Sequence, residues 1–209
     1  MAKAPRADRP TPTLSFATRQ AFRSWLEREH ARTGGLLLHL YKKDSGIPSI
    51  NYAQALDQAL CFGWIDGQKL PKDAQSWLQR FTPRRARSKW SKRNTEHVAR
   101  LVAAGEMTPA GLREVEAAKA DGRWDAAYDS PANIQVPPEF LKALARNARA
   151  KAFFATISRT NHYSIAYRLH DAKRPETRLK RIEMIIAMLA RGKTFHPQKA
   201  KAKPGKVKR

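Results

Sequence analysis

Residues 62–82 contain the pattern that most constrains the fold, two short runs in which apolar and polar side chains alternate. The run FGWIDGQKL precedes the turn-forming residues PKDA, and SWLQRFT follows them. A period of two is typical of a half-buried strand, and a short turn between two such runs favours a β-hairpin. The sequence therefore predicts a hairpin in which residues 62–70 pair with residues 75–82.

Helical spacing of apolar residues dominates most of the remaining chain. LLLHLYK, 36–42, is short, apolar and bounded by polar or glycine residues, so it predicts a buried strand. From residue 138 onward the spacing is helical throughout, with Val102 in the first half and Leu179 in the last helix among the predicted inner positions. The predicted N-caps of four helices are Thr18, Asn51, Ser91 and Thr108. The expected fold class is α+β, mainly α, with a small antiparallel sheet in the N-terminal half and a helical C-terminal module.

Changes in composition along the chain predict four segments. Residues 1–13 are proline-rich and charged, and are expected to be disordered. Residues 14–122 should form an α+β domain that contains the hairpin and a basic loop. Residues 123–192 should form a helical domain, entered through a proline-containing linker, and residues 193–209 a disordered basic tail.

Positive charge is the strongest compositional feature, since the formal net charge is +23. Residues 191–209 hold eight basic residues and no acid, and the part of the chain expected to fold is also basic. A charge of this size favours association with polyanions, through counterion release when the partner is nucleic acid. The alternative is a solvated, solubilising tail.

The stretch RFTPRRARSKWSKRN, 80–94, concentrates seven basic residues without an acid. Basic residues interleaved with aromatic ones suit phosphate contacts and base stacking, and a helix beginning at Ser91 would favour an anion at its N-terminus. The alternative is that the tryptophans fill the core while the charges face water. The predicted anion-binding residues are Trp64, Asp66, Arg80, Arg84, Arg85, Lys89, Trp90, Ser91 and Asn94.

Asp66 and Cys61 are the two candidates for chemistry. Asp66 lies in an otherwise apolar strand, so it must be paired or reach solvent. It is expected to pair with Arg80 or Arg84 as a structural contact, or else to orient those arginines or act as an acid/base in a pocket. Cys61 is expected to be a core residue, the alternative being a nucleophile in an electropositive setting.

The sequence predicts neither a metal nor a cofactor. None of the six histidines pairs with another at the i, i+4 spacing of helical metal ligands, and no glycine-rich phosphate loop follows a strand. No apolar run approaches the roughly 18 residues of a membrane span, and no signal peptide opens the chain. A cytoplasmic location is the resulting expectation, and the oligomeric state is left open.

Five blocks, ALCFGWIDGQ, RFTPRRARSKWSKRN, GEMTPAGL, DGRWDAAY and AKRPETRLKRIEMIIAMLARGK, together resemble the YdeI/OmpD-associated family, also called bacteriocin-protection proteins. The resemblance covers roughly residues 15–195, and the block from about 125 to 190 is similar to the domain that names the family. It implies a bacterial, cytosolic protein linked to envelope stress and antimicrobial-peptide tolerance, and it supplies no catalytic residues.

The predicted function is a non-enzymatic stress or envelope-defence binding protein with an anion-facing basic surface. The first alternative is a nucleic-acid-binding protein that uses the basic loop and the tail. The second is an enzyme that acts on a small phosphorylated or carboxylated substrate, with Asp66 as acid/base and the arginines as a clamp.

Overall fold

The structure is a computed structural model that describes residues 11–130 and 133–198. Contacts divide the chain into two compact units, with the boundary between Ala127 and Tyr128. The first unit contains β1 (Thr13–Leu14), α1 (Arg19–Glu29), β2 (Leu36–Tyr41), α2 (Tyr52–Cys61), β3 (Trp64–Pro71), β4 (Ser76–Pro83), α3 (Lys92–Ala103) and α4 (Pro109–Ala120). The second contains α5 (Pro138–Ala145), α6 (Ala148–Phe154), α7 (Arg159–Asp171) and α8 (Pro175–Ala190). The predicted α+β, mainly α class is confirmed.

The sheet has the strand order β1-β2-β4-β3. β3 and β4 form the predicted hairpin, with Trp64 opposite Pro83 at one end and Pro71 opposite Trp77 at the other. β2 pairs antiparallel with β4, whereas β1 pairs parallel with β2 and makes the sheet mixed. This edge strand was not predicted, because two residues are too few to show a period. It begins at Thr13, inside the segment expected to be disordered, of which residues 1–10 lie outside the described part.

The helix starts in the first unit follow from their capping residues. Thr18, Asn51, Ser91 and Thr108 each accept a hydrogen bond from the backbone N–H three residues later, as predicted. The cap of α2 is reciprocal, since the side chain of Gln54 also accepts from the backbone N–H of Asn51. α2 therefore begins at Tyr52, before the hairpin, and α3 begins at Lys92, after it.

The core of the first unit lies between one face of the sheet and the helices. Leu36, Leu38 and Leu40 point from β2 toward Phe22 of α1, because alternate residues of a strand face opposite sides of the sheet. Cys61 is fully buried in the same cluster, which confirms its expected role as a core residue.

The second unit buries an apolar stripe from α5, α7 and α8. Its members include Phe140, Leu169, Ile185 and Leu189, all fully buried. The predicted inner position Leu179 is wrong, because this side chain is 59% exposed at the first turns of α8. In the first unit Val102 is likewise 50% exposed, since the residues that α3 buries are Asn94, Val98 and Leu101.

The chain continues past α8 as a segment bound to α7. The side-chain amide of Asn161 pairs with the backbone of His196, accepting from its N–H at 3.0 Å and donating to its carbonyl at 3.2 Å. Gln198 accepts from the backbone N–H of Ser158 and donates to the carbonyl of Thr156. Residues 194–198, expected to belong to the disordered tail, are therefore attached to the helical unit, while residues 199–209 lie outside the described part.

Within residues 11–130 and 133–198, no helix has the length and apolar character needed to cross a membrane.

Candidate anion-binding surface

Residues 84–93, here called the cationic loop, comprise the connection between β4 and α3 and the first two residues of α3. The backbone N–H of Arg84 donates to Gly63 O at 3.0 Å, which ties the loop entrance to the start of β3. A tight turn follows, in which Ser88 N donates to Arg85 O and Arg85 N donates to the Ser88 hydroxyl. These hydrogen bonds stabilise the conformation of the loop.

Arg84 lies inside this loop. Its side chain is buried, with 7% exposure, and its guanidinium carbon lies 3.4 Å from the centre of the Trp90 ring. Its Nη1 donates to Lys89 O at 3.3 Å. A cation on an indole face that also bonds to a loop carbonyl joins the two ends of the loop. Arg84 is therefore a structural residue of the loop, although the sequence placed it among the ligand-binding ones.

Trp90 and Trp64 are also buried. Trp90 is 2% exposed and its ring packs 4.9 Å from that of Trp124. Trp64 is 1% exposed, meets Trp25 edge-on and donates its indole N–H to His30 O at 3.2 Å. Neither ring offers a face to a nucleotide base. This outcome matches the alternative in which the tryptophans fill the core.

Arg123 secures the loop from outside. Its Nη1 donates to Ser88 O at 2.9 Å, while its Nε bonds to the carboxylate of Asp121. Sequence reasoning missed this contact, because 35 residues separate Arg123 from Ser88. The loop backbone is therefore fixed at Arg84, at Ser88 and at Trp90.

The remaining basic side chains of this stretch are exposed. No acidic residue lies between residues 80 and 95. The Ser91 hydroxyl caps α3 by accepting a hydrogen bond from the backbone N–H of Asn94. Asn94 itself is 8% exposed. Of the predicted set, Arg80, Arg85 and Lys89 are exposed, whereas Trp64, Arg84, Trp90 and Asn94 are buried. The exposed cationic surface consists of these three exposed residues together with Arg87, Lys92 and Arg93, which were not in the predicted set.

Asp66 is half-buried and accepts a hydrogen bond from the hydroxyl of Tyr52 at 2.7 Å. Pairing with Arg80 was expected, but register separates the two. Asp66 lies opposite Phe81, on the face that packs against the helices, so Arg80 points from the other face. Arg84, the second expected partner, is committed to Trp90. Within the described residues the carboxylate is held by a tyrosine of α2, a contact that the sequence did not indicate.

Cys61 has the properties of a core thiol. Burial raises its pKa, an effect that the nearby Arg23 guanidinium partly opposes. Its carbonyl accepts hydrogen bonds from the hydroxyl of Thr108 at 2.6 Å and from the backbone N–H of the same residue. A neutral, buried thiol is a poor nucleophile.

A polar cluster between α2 and α3 was not predicted. Asp57 Oδ1 lies 2.8 Å from His97 Nδ1 and accepts from Arg100 Nη2 at 2.6 Å. The residues are about 40 positions apart in sequence, and only His97 and Arg100 share a helical spacing. The described part of the chain holds no group of three or more His, Cys, Asp or Glu side chains arranged for a metal ion. The Asp57 cluster therefore joins two helices.

Two known families match this chain, one on each side of the boundary between the two units. Residues 14–114 match a domain of unknown function, DUF8412. Residues 133–192 match the family described as Bacteriocin-protection, YdeI or OmpD-Associated. No match was found among curated proteins or among solved structures. The family resemblance expected over residues 15–195 is thus found over the helical unit, and the cationic loop lies in the segment that matches the domain of unknown function.

Proposed function

We propose that this chain is a non-enzymatic binding protein with a bacteriocin-protection-like role, and that its ligand is an anion bound on the outer side of the cationic loop. The observation that carries the proposal is the separation of roles within the loop. Arg84 is buried on Trp90, whereas Arg85, Arg87 and Arg93 are exposed around it.

Like charges held close together raise the energy of the folded state, and a bound anion lowers it. A flexible loop would relieve that repulsion by spreading its side chains. The backbone of this loop is instead tied down by contacts of Arg84, Ser88 and Lys89, which limits how far the exposed side chains that it carries can spread. A fixed cationic surface loses little conformational entropy when an anion binds.

The protective role is supported by the match of residues 133–192 to the bacteriocin-protection family. A survival assay tests that part of the proposal. Bacteria that express the chain should survive a bacteriocin or a cationic antimicrobial peptide better than bacteria with an empty vector. Equal survival of the two populations would contradict the role.

Binding is tested with inorganic polyphosphate, which carries phosphate charge without bases. The variant removes three exposed loop arginines, Arg85→Ala, Arg87→Ala and Arg93→Ala. The control removes three exposed basic residues of the helical unit, Lys142→Ala, Arg146→Ala and Lys151→Ala. Both variants lose the same formal charge, so long-range attraction falls equally in the two.

The loop variant should bind polyphosphate about tenfold more weakly than the control at 150 mM salt, since each exposed charge contact contributes about 0.2–1 kcal/mol. Its dependence of log K on log salt should also be shallower. Equal losses in the two variants would show attraction by net charge alone and would overturn the assignment to the loop.

A further inference from the structure

The sheet has a second face that points away from the buried helices. The strand register defines it, because residues directly opposite one another on neighbouring strands lie on the same face. Leu37 lies opposite Arg80, His39 opposite Leu78, and Leu78 opposite Leu70. We call this surface the second sheet face, and its members are Leu37, His39, Tyr41, Leu70, Leu78 and Arg80.

Apolar side chains on the second sheet face are only half-buried. Leu37, Leu70 and Leu78 have intermediate exposure. Within residues 11–127 they belong neither to the buried core cluster nor to the apolar residues packed against it. A half-covered row of leucines across three strands is a flat apolar platform.

Two aromatic rings lie beside these leucines. The ring centres of His39 and Tyr41 are 4.2 Å apart, and Lys72 Nζ lies 3.2 Å from His39 Nδ1. Burial and the Lys72 charge lower the pKa of His39, which favours the neutral form of its ring. Its Nε2 is buried and has no hydrogen-bond partner in the described part of the chain. His39 is 8% exposed, so the half-buried ring of Tyr41 is the one that can stack with a planar group.

Charge around the platform favours an anionic partner. The cations are Lys42 and Lys43 after Tyr41, Lys72 in the hairpin turn, and Arg80 on the face itself, all exposed. The nearby acids are Asp44 and Asp73, and Asp73 already accepts hydrogen bonds from Ser76 and from Gln75 N. β4 then leads along the face from Leu78 to Pro83, about 17 Å at the usual rise per residue, and opens directly into the cationic loop. A second copy of this chain would present the same positive charge, so a negatively charged partner is favoured.

We propose that the second sheet face binds single-stranded nucleic acid, with unpaired bases on Tyr41 and the leucines and phosphates on Arg80, Lys72 and the cationic loop. The inference rests on the proposed function, since it identifies the anionic ligand of the loop as a nucleic acid strand. Stacking on a flat face requires bases that are not paired, so single strands are favoured over duplexes. Arg80 stands between the platform and the loop, where it connects base contacts to phosphate contacts.

The experiment compares three labelled ligands by fluorescence anisotropy: a 15-nucleotide oligothymidine, a duplex of the same length, and inorganic polyphosphate. The single strand should bind the wild-type protein most tightly. Tyr41→Ala should weaken single-strand binding about tenfold and leave polyphosphate binding unchanged, because it removes stacking alone. Tyr41→Phe, the matched control, should bind like wild type. Arg80→Gln should reduce the salt slope by about 0.7, the contribution of one phosphate contact to a single strand.

The outcomes separate this inference from the proposed function. Unchanged single-strand binding in Tyr41→Ala, or tighter binding of the duplex, overturns the sheet-face site while the loop proposal stands. If the wild-type protein does not bind polyphosphate, the loop proposal itself is overturned. If Tyr41→Ala does not fold, ultraviolet cross-linking of the oligonucleotide to the wild-type protein decides. Cross-links in peptides that contain β2 or β4 support the site, and cross-links confined to residues 84–93 overturn it.

Discussion

Replacing Arg84 and Arg85 separately distinguishes a structural arginine from a binding one. The two residues are adjacent and have the same charge, so sequence alone treats them alike. Arg84 is 7% exposed and lies on the Trp90 ring, whereas Arg85 is exposed. Arg84→Ala should therefore destabilise the first unit, and Arg85→Ala should leave its stability unchanged while weakening anion binding.

The expected size of the Arg84 effect follows from its contacts. A desolvated cation–π contact contributes about 2 kcal/mol, and a hydrogen bond from a charged group contributes about 1.5–3 kcal/mol. Replacing Arg84 with alanine offsets part of this lost free energy, because no guanidinium then has to be desolvated when the chain folds. The net loss should be about 2–4 kcal/mol, against about 0.5 kcal/mol or less for the exposed Arg85.

Tryptophan fluorescence during urea unfolding measures this loss in the first unit alone, because all five tryptophans lie between residues 25 and 124. The difference in midpoint between the two variants, multiplied by the common m-value, gives the difference in the free energy of unfolding. Arg84→Lys is the control for charge, since it keeps the cation but cannot reproduce the planar contact. If Arg84→Ala and Arg85→Ala unfold at the same urea concentration, the structural assignment of Arg84 is refuted.

Three further predictions test other contacts of the first unit. Gly111→Ala should lower the free energy of unfolding by about 1–3 kcal/mol, because the added Cβ would lie 2.3 Å from Cys61 O. Helix propensity alone favours alanine over glycine by about 1 kcal/mol. A variant that is more stable than wild type would therefore contradict the close packing of α4 on α2. The Cys61 pKa is raised in the folded state, so its contribution to stability is complete below about pH 8.5 and is lost as pH rises through the folded pKa. Urea unfolding of wild type and Cys61→Ala between pH 7 and pH 10 should show a steeper alkaline decline for wild type, and parallel curves would refute this. Tyr52→Phe removes the hydroxyl that donates to Asp66, so the free energy of unfolding measured with urea at pH 7 should fall by about 1–2 kcal/mol. An unchanged unfolding midpoint would contradict this prediction.

Features that depend on local chemistry were predictable from the sequence. The caps at Thr18, Asn51, Ser91 and Thr108 were predicted and confirmed, because a capping side chain bonds within its own first turn. The β3–β4 hairpin was also predicted and confirmed, since its alternation and turn lie within about twenty residues. The exposed positions Val102 and Leu179 were not, because helical spacing does not reveal how wide a stripe the neighbours cover.

Features that depend on contacts between distant segments were not predictable. The partner of Asp66 is Tyr52, and the choice between it and an arginine depends on which side of the sheet each residue faces. The burial of Arg84 on Trp90 likewise requires the path of the loop. The sequence shows that the candidate surface is positively charged. It does not show that Arg84 is buried while the neighbouring basic side chains are exposed. The parallel strand β1 belongs to the same class, because only its pairing with β2 defines it.

The attachment of residues 194–198 to α7 sets the place at which the basic tail is best removed. Asn161 binds the backbone of His196, and the His196 ring nitrogen Nε2 lies 2.7 Å from the hydroxyl of Ser164, so both the backbone and the side chain of this residue contact α7. A stop after Gln198 would delete residues 199–209 and keep these hydrogen bonds, whereas a stop after Gly192 would remove both His196 contacts of Asn161, which is 1% exposed, and leave its side-chain amide with the Ser158 hydroxyl. Shortening the protein at 198 is therefore the way to separate the electrostatic contribution of the tail from the folding of the helical unit.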